Sequence, residues 1–180
     1  MSTQILTNNE NYESAPSLLL KTRRNHGLEH ATLHVLAHRF PHGSLAGHSD
    51  PGGFWIIGEV RSDDLMQAVS EALRRLRSGE RGLAIHPYCG TNVVTAGVLA
   101  GVAGLVSTLG TGPRFRDKVD RLPLTISLAA LAVILARPLG LVLQARITTS
   151  GDPGPLQIVE IRKTQRGRVT FHRVITRFTI

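Results

Sequence analysis

Two long apolar segments constrain this chain more than anything else in its sequence. No Lys, Arg, Asp or Glu lies between Arg81 and Arg114, and residues 93–109 (VVTAGVLAGVAGLVSTL) reach, with their flanks, the length of a helix that crosses a bilayer. Residues 124–144 form a second such segment, interrupted only by Arg137-Pro138, and the charged stretch 112–123 (GPRFRDKVDRLP) joins the two. The simplest reading is a two-helix transmembrane hairpin over residues 92–145. A pair of buried core helices is the competing one, but a chain of 180 residues has little else with which to wrap them. Gly97, Gly101 and Gly104 give the first helix a small-residue face for close packing. An arginine at mid-span costs about 2.5–3.5 kcal/mol, so Arg137 is expected to face the other helix, a cavity or the headgroups, with Pro138 kinking the helix beside it.

Charge and histidine divide the chain at the start of that hairpin. Residues 1–91 carry nine basic and nine acidic side chains, so the whole formal charge of +8 arises later, in residues 92–145 and above all in 146–180. Seven of the eight histidines (His26, His30, His34, His38, His42, His48 and His86) lie in the neutral half. An apolar content of 42% excludes a disordered or collagenous chain, and the lone Cys89 excludes a disulfide-stapled scaffold. Residues 1–20 begin polar, without a basic stretch followed by an apolar run, so no cleavable signal is expected. Both termini are then expected in the cytoplasm, and the protein in the bacterial inner membrane.

Around the hairpin the patterning is that of a mixed α and β domain. Residues 21–40 carry Leu28, Leu33, Leu36 and Ala37 at helical spacing, ended by Pro41 and His42-Gly43. Residues 53–60 read as a strand pairing with 44–47 across Asp50-Pro51-Gly52-Gly53, and Ser62 with Asp63 and Asp64 caps a helix running to Arg77. Residues 82–86 read as a short strand, and residues 156–162 and 168–179 as a basic β-hairpin. Four segments result: a polar 1–20, an α+β metal-binding domain over 21–91, the hairpin over 92–145, and a basic β-hairpin tail over 146–180.

The chemistry is concentrated in Asn25-His26-Gly27-Leu28-Glu29-His30. On a helix, His26 and His30 project one turn apart on the same side, and Glu29 lies beside them. This is the inverted zinc motif H-x-x-E-H, in which the carboxylate is general base rather than ligand. The plainer alternatives are a core-facing or pH-sensitive histidine helix, or a ladder extended by His34 and His38. A catalytic zinc takes three protein ligands, and Cys89, in His86-Pro87-Tyr88-Cys89-Gly90-Thr91-Asn92, is the candidate third. A helix start there favours the thiolate; a small buried residue is its other reading. His86 shares the segment with Cys89, and His172 falls on the polar side of its strand.

The order His26-Gly27-Leu28-Glu29-His30, Gly53-Phe54-Trp55 with Ile57-Gly58, the alanine-containing helix 62–76 and Tyr88-Cys89-Gly90-Thr91 resembles S-ribosylhomocysteinase, over residues 23–92. The resemblance implies the α+β fold of the mitochondrial-processing-peptidase-like metallohydrolase superfamily: an antiparallel sheet with helices on one face. It further implies one zinc ion per chain on His26, His30 and Cys89, with Glu29 as acid/base, and a homodimer that completes the pocket. The lyase's second, catalytic cysteine is absent, and Asp50 stands in its place, as a second acid/base or as the former of the Pro51-Gly52 turn. Together with the hairpin, the same motifs also look like a bacterial membrane family of unknown function.

These observations lead to the expectation of a zinc-dependent hydrolase, a peptidase or an amide or ester hydrolase, with catalytic Glu29 and Asp50. Cys89 lies so close to the first span that the site is expected at the bilayer surface, acting on a juxtamembrane peptide or an amphiphile. Alternatives are a metal-dependent lyase or isomerase on a small carbonyl compound, and a non-enzymatic membrane subunit binding a tetrapyrrole or a partner complex. Arg162, Lys163, Arg166, Arg168, Arg173 and Arg177 are expected either to meet anionic membrane lipids or to form a solvated hairpin face. Nucleic acid is not an expected partner, because Phe171 and Phe178 are the tail's only aromatic residues.

Overall fold

A computed structural model describes residues 16–41 and 43–179; the polar 1–15 segment and His42 lie outside the described residues. The chain runs α1 (Leu18–Arg39), β1 (Ala46–Asp50), β2 (Gly53–Ile57), α2 (Ser62–Arg77), a 3-10 turn (Arg81–Ala84), α3 (Gly90–Ser107), α4 (Phe115–Val119), α5 (Leu122–Leu143), a π turn (Gln144–Thr148), β3 (Leu156–Arg166) and β4 (Val169–Phe178). It is an α+β protein with one four-stranded antiparallel sheet, ordered β1-β2-β4-β3, and two membrane-length helices.

The basic hairpin after residue 146 is therefore not a separate tail. β4 pairs with β2 along residues 171–175, so the last strand of the chain occupies the middle of the sheet and continues the surface begun by residues 46–57. The reason lies in burial. Phe54, Ile56 and Val174 lie on the sheet's inner face and are fully buried with Leu28 and Leu36 of α1 and Leu65 and Val69 of α2. Each such side chain is worth about 1.5–3 kcal/mol on burial, and without β4 this layer would be half uncovered.

Local signals hold where neighbours in sequence decide them. α1 begins at Ser17, whose hydroxyl accepts from Leu20 N–H at 3.2 Å, and β1 and β2 join through Pro51-Gly52. Ser62 is the first residue inside α2 rather than its cap; Arg61 holds that position, and Asp63 and Asp64 still face the positive end of the helix. Residues 82–86 are not a strand. Leu83 and Ile85 N–H close a 3-10 turn on the Glu80 and Gly82 carbonyls, and side chains take further backbone groups: the carbonyls of Ala84 and Ile85 accept from His30 and His34, and His86 N–H donates to Gln144.

α3 and α5 form an antiparallel pair held by Ser107 Oγ and Thr125 Oγ1 (2.6 Å) at the far end and by Asn92 against Gly140 at the domain end. Only 11% of each membrane-length window is buried, which leaves Val93, Val98, Leu105, Ile126, Ile134 and Leu135 bare. A methyl group added at Gly97, Gly101 or Gly104 would meet nothing within 4 Å, so the small-residue face makes no close contact with α5. α5 continues through Pro138, and Arg137 is exposed, about two turns from the domain end.

Candidate metal centre

α1 is buried through its middle, from Asn25 to Leu36, which is unusual for a segment holding Asn, Glu, His and Thr. Each of those groups therefore needs a partner. Asn25 donates to the Asp50 carbonyl (2.8 Å) and accepts from Thr176 (2.8 Å), and Thr32 donates to Leu28 O. Gly27 permits the close approach on one side: a methyl group there would lie 2.0 Å from the Ser150 carbonyl oxygen.

The two histidines are fixed by backbone carbonyls from different parts of the chain. His30 Nδ1 lies 2.8 Å from Ala84 O, and His26 Nδ1 lies 2.9 Å from Thr148 O. A carbonyl only accepts, so both rings carry their proton on Nδ1 and turn a lone pair outward on Nε2. Cys89 Sγ lies 3.4 Å from His26 Nε2, and one ligand atom from each of His26, His30 and Cys89 falls within 4.8 Å of the others. Two imidazole nitrogens with carbonyl-bound Nδ1 and one cysteine sulfur are a donor set suited to zinc, with the outer-shell contacts that orient such ligands.

Cys89 is the N-cap of α3, its sulfur accepting from Thr91 N–H at 3.4 Å. Burial raises its pKa, but the proximity of His30 and the Thr91 hydroxyl and backbone N–H outweigh that and hold the thiol below its ordinary value.

Glu29 is 3% exposed. Burial pushes its carboxyl above the usual range, opposed by the Ser49 hydroxyl, which donates to Oε2, and by His26 and His48. Its Oε1 lies under Gly47, where a methyl group would stand 2.1 Å from it. These groups line a cavity of about 650 Å³ whose rim adds Leu19, Leu45, Tyr88 and Ile147.

Asp50 lies elsewhere. Its carboxylate accepts from Arg173 (2.7 Å) and from Gly52 N–H (2.8 Å), which outweigh burial and lower its pKa. It is a turn former and ion-pair partner, and does not line the cavity. His86 does line it, with its ring 5.6 Å from that of His30 and 4.9 Å from that of His34; burial, then His34 and His30, lower its pKa to about 4. His34 spends Nε2 on the Ile85 carbonyl (2.9 Å), and His38 is exposed. His172 is not on a polar face: it is fully buried, and neither ring nitrogen has a partner among the described residues.

Ser49, Thr148 and Ala84 carry no motif that marks them in the sequence. The one available signal is register: pairing about Pro51-Gly52 puts Gly47 and Ser49 on the same face as Ile56 and Phe54, and hence toward α1.

Residues 21–161 match the family described as Domain of unknown function (DUF6391), and the chain belongs to that family. It is 40% identical over 159 residues to an uncharacterized protein of Picosynechococcus sp. (strain ATCC 27264 / PCC 7002 / PR-6), across 81% of this chain and 73% of that one. No solved structure matches it.

Proposed function

We propose that this member of the DUF6391 family is a membrane-anchored, zinc-dependent hydrolase acting on peptide, amide or ester substrates at the bilayer surface. The observation that carries the reading is the pair of carbonyl-bound Nδ1 atoms, which leave the Nε2 atoms of His26 and His30 beside Cys89 Sγ, with Glu29 adjacent. These three residues would hold a zinc ion, which would supply Lewis acidity and lower the pKa of water toward about 7.

Glu29 is the only carboxylate on the cavity lining among the described residues. Its raised pKa suits it to take a proton from the attacking water and return it to the leaving group. Ser49 holds Oε2, which leaves Oε1 to exchange the proton. His26 and His30 keep their tautomer through the cycle because their Nδ1 protons are committed to carbonyls.

Location supports an amphiphilic or juxtamembrane substrate. Cys89 caps α3 and Thr148 ends the chain's return from α5, so the cavity opens at the foot of the apolar pair. Exposed Leu19, Tyr88 and Ile147 on its rim offer apolar contact there.

Metal analysis of the purified full chain tests the reading. One zinc per chain is expected, lost in His26→Ala and Cys89→Ala and kept in Glu29→Gln, with hydrolysis of amphiphilic peptide or ester probes abolished in all three. A metal-free wild-type protein, or one containing a porphyrin, would overturn it.

A further inference from the structure

The two legs of the apolar hairpin return to the domain at the point where the three candidate ligands meet. We propose that the hairpin is a component of the metal centre rather than an anchor beside it, and that Asn92 and Gln144 position the ligands. This rests on the metal reading given above.

Gln144 is fully buried at the foot of α5, where the chain passes into the π turn. Its Oε1 accepts from His86 N–H at 2.9 Å, and its Nε2 donates to Asn92 Oδ1 at 2.8 Å. Asn92, in the first turn of α3, spends its own amide on the Pro87 carbonyl at 2.6 Å, and its backbone N–H donates to Cys89 O at 2.9 Å. One side chain from each leg thus clasps residues 86–89 from both sides, and that segment ends on the candidate sulfur ligand. Gly140 leaves room for the clasp: a methyl group there would lie 2.3 Å from Asn92 Oδ1.

A second candidate ligand, His26, is held by the same foot. Gln144 O accepts from Thr149 N–H at 3.0 Å, closing the wide turn that carries Thr148, whose carbonyl receives His26 Nδ1–H. Thr91 Oγ1 lies 3.4 Å from Thr148 Oγ1 and 3.5 Å from Cys89 Sγ, linking the two legs a second time. Single π turns are rare and are frequent at functional sites. The distance from Cys89 to His26 is therefore set by how α3 and α5 pack at their domain ends.

Cobalt(II) binding to the full chain in detergent tests this, because a thiolate-bound cobalt has a charge-transfer absorption that reports the sulfur contact independently of activity. Gln144→Met and Asn92→Ala are expected to weaken cobalt binding by about 10–100-fold, the usual effect of losing a contact behind a ligand, and to diminish that absorption while helicity is retained. Ser107→Ala, which breaks the contact with Thr125 at the far end of the pair, is expected to change neither. Wild-type affinity and spectrum in both Gln144→Met and Asn92→Ala would overturn the proposal, as would an equal loss in Ser107→Ala. If Gln144→Met does not fold, Asn92→Ala and Gln144→Glu decide by the same criteria. A wild-type chain that binds no cobalt would instead overturn the metal reading itself.

Discussion

His26 is oriented by Thr148, 122 positions further along the chain, across a 2.9 Å hydrogen bond to the carbonyl oxygen. A short H-x-x-E-H motif is thus completed by a residue beyond the whole apolar hairpin.

It follows that residues 16–91 expressed alone lack both this contact and strands β3 and β4. The fragment loses Leu156 and Val174 from the core, which at about 1.5–3 kcal/mol each is a large part of an ordinary stability margin. No cooperative thermal transition and no stoichiometric zinc are expected, by circular dichroism and metal analysis. A cooperative melt would contradict the single-sheet account.

Glu29→Gln is expected to stabilise the metal-free protein at neutral pH. Burial raises the Glu29 pKa, so its charged form opposes folding. The stability associated with the protonated group is complete below the ordinary carboxylate pKa and is lost as pH rises through the folded value. The Tm difference should then be largest near pH 7, at about 2–4 °C for each kcal/mol recovered, and vanish below about pH 4.5. Melts across that range with chelator present measure it.

The close approaches at Gly27 and Gly47 predict different genetic interactions. Gly47→Ala meets Glu29 Oε1 and should cost about 1–3 kcal/mol. Much of that cost should disappear in a Glu29→Ala background, since the two positions are in contact. Gly27→Ala meets backbone at Ser150, which cannot swing aside, so the same background should not relieve it. Denaturant unfolding of the singles and doubles decides.

Asp50→Asn should leave zinc content and hydrolysis intact, because its carboxylate serves Arg173 and Gly52. With that side chain 38% exposed, the stability loss should be below about 1 kcal/mol. Arg173 holds the folded pKa low despite burial, so the loss appears at neutral pH and fades as pH falls through that value. Abolished activity with zinc retained would restore Asp50 as an acid/base.

His172 should make the fold acid-sensitive. Its buried ring has no hydrogen-bond partner among the described residues, and burial, then Lys163, lower its pKa. Its contribution is present above the ordinary histidine pKa of about 6.5 and is lost as pH falls through the lower folded value. His172→Leu should move the midpoint of acid unfolding to lower pH without loss at pH 8, read by fluorescence of Trp55.

How much of this is legible in the sequence follows from distance along the chain. His26, Glu29 and His30 are set by one helical turn, and Cys89 by its place before an apolar helix, so spacing exposes all four. The carbonyls of Ala84 and Thr148, the hydroxyl of Ser49 and the side-chain amide of Gln144 lie 20 to 122 positions from the groups they serve. No local pattern marks them. Residues 82–86 look like a strand and are none for a related reason: alternation records which side chains are apolar, whereas here distant side chains take up the backbone. His172 shows the converse, a polar residue that alternation puts outside and pairing with Ile56 puts inside.

The place of β4 in the sheet also orders events during synthesis. Its partner β2 is made more than a hundred residues earlier, and the two apolar helices emerge between them. The first half must wait with Phe54 and Ile56 incompletely covered until residue 175 has left the ribosome, by which time α3 and α5 have already been delivered to whatever surrounds them. The candidate metal pocket is therefore the last part of the molecule to close, after the apolar hairpin has found its environment.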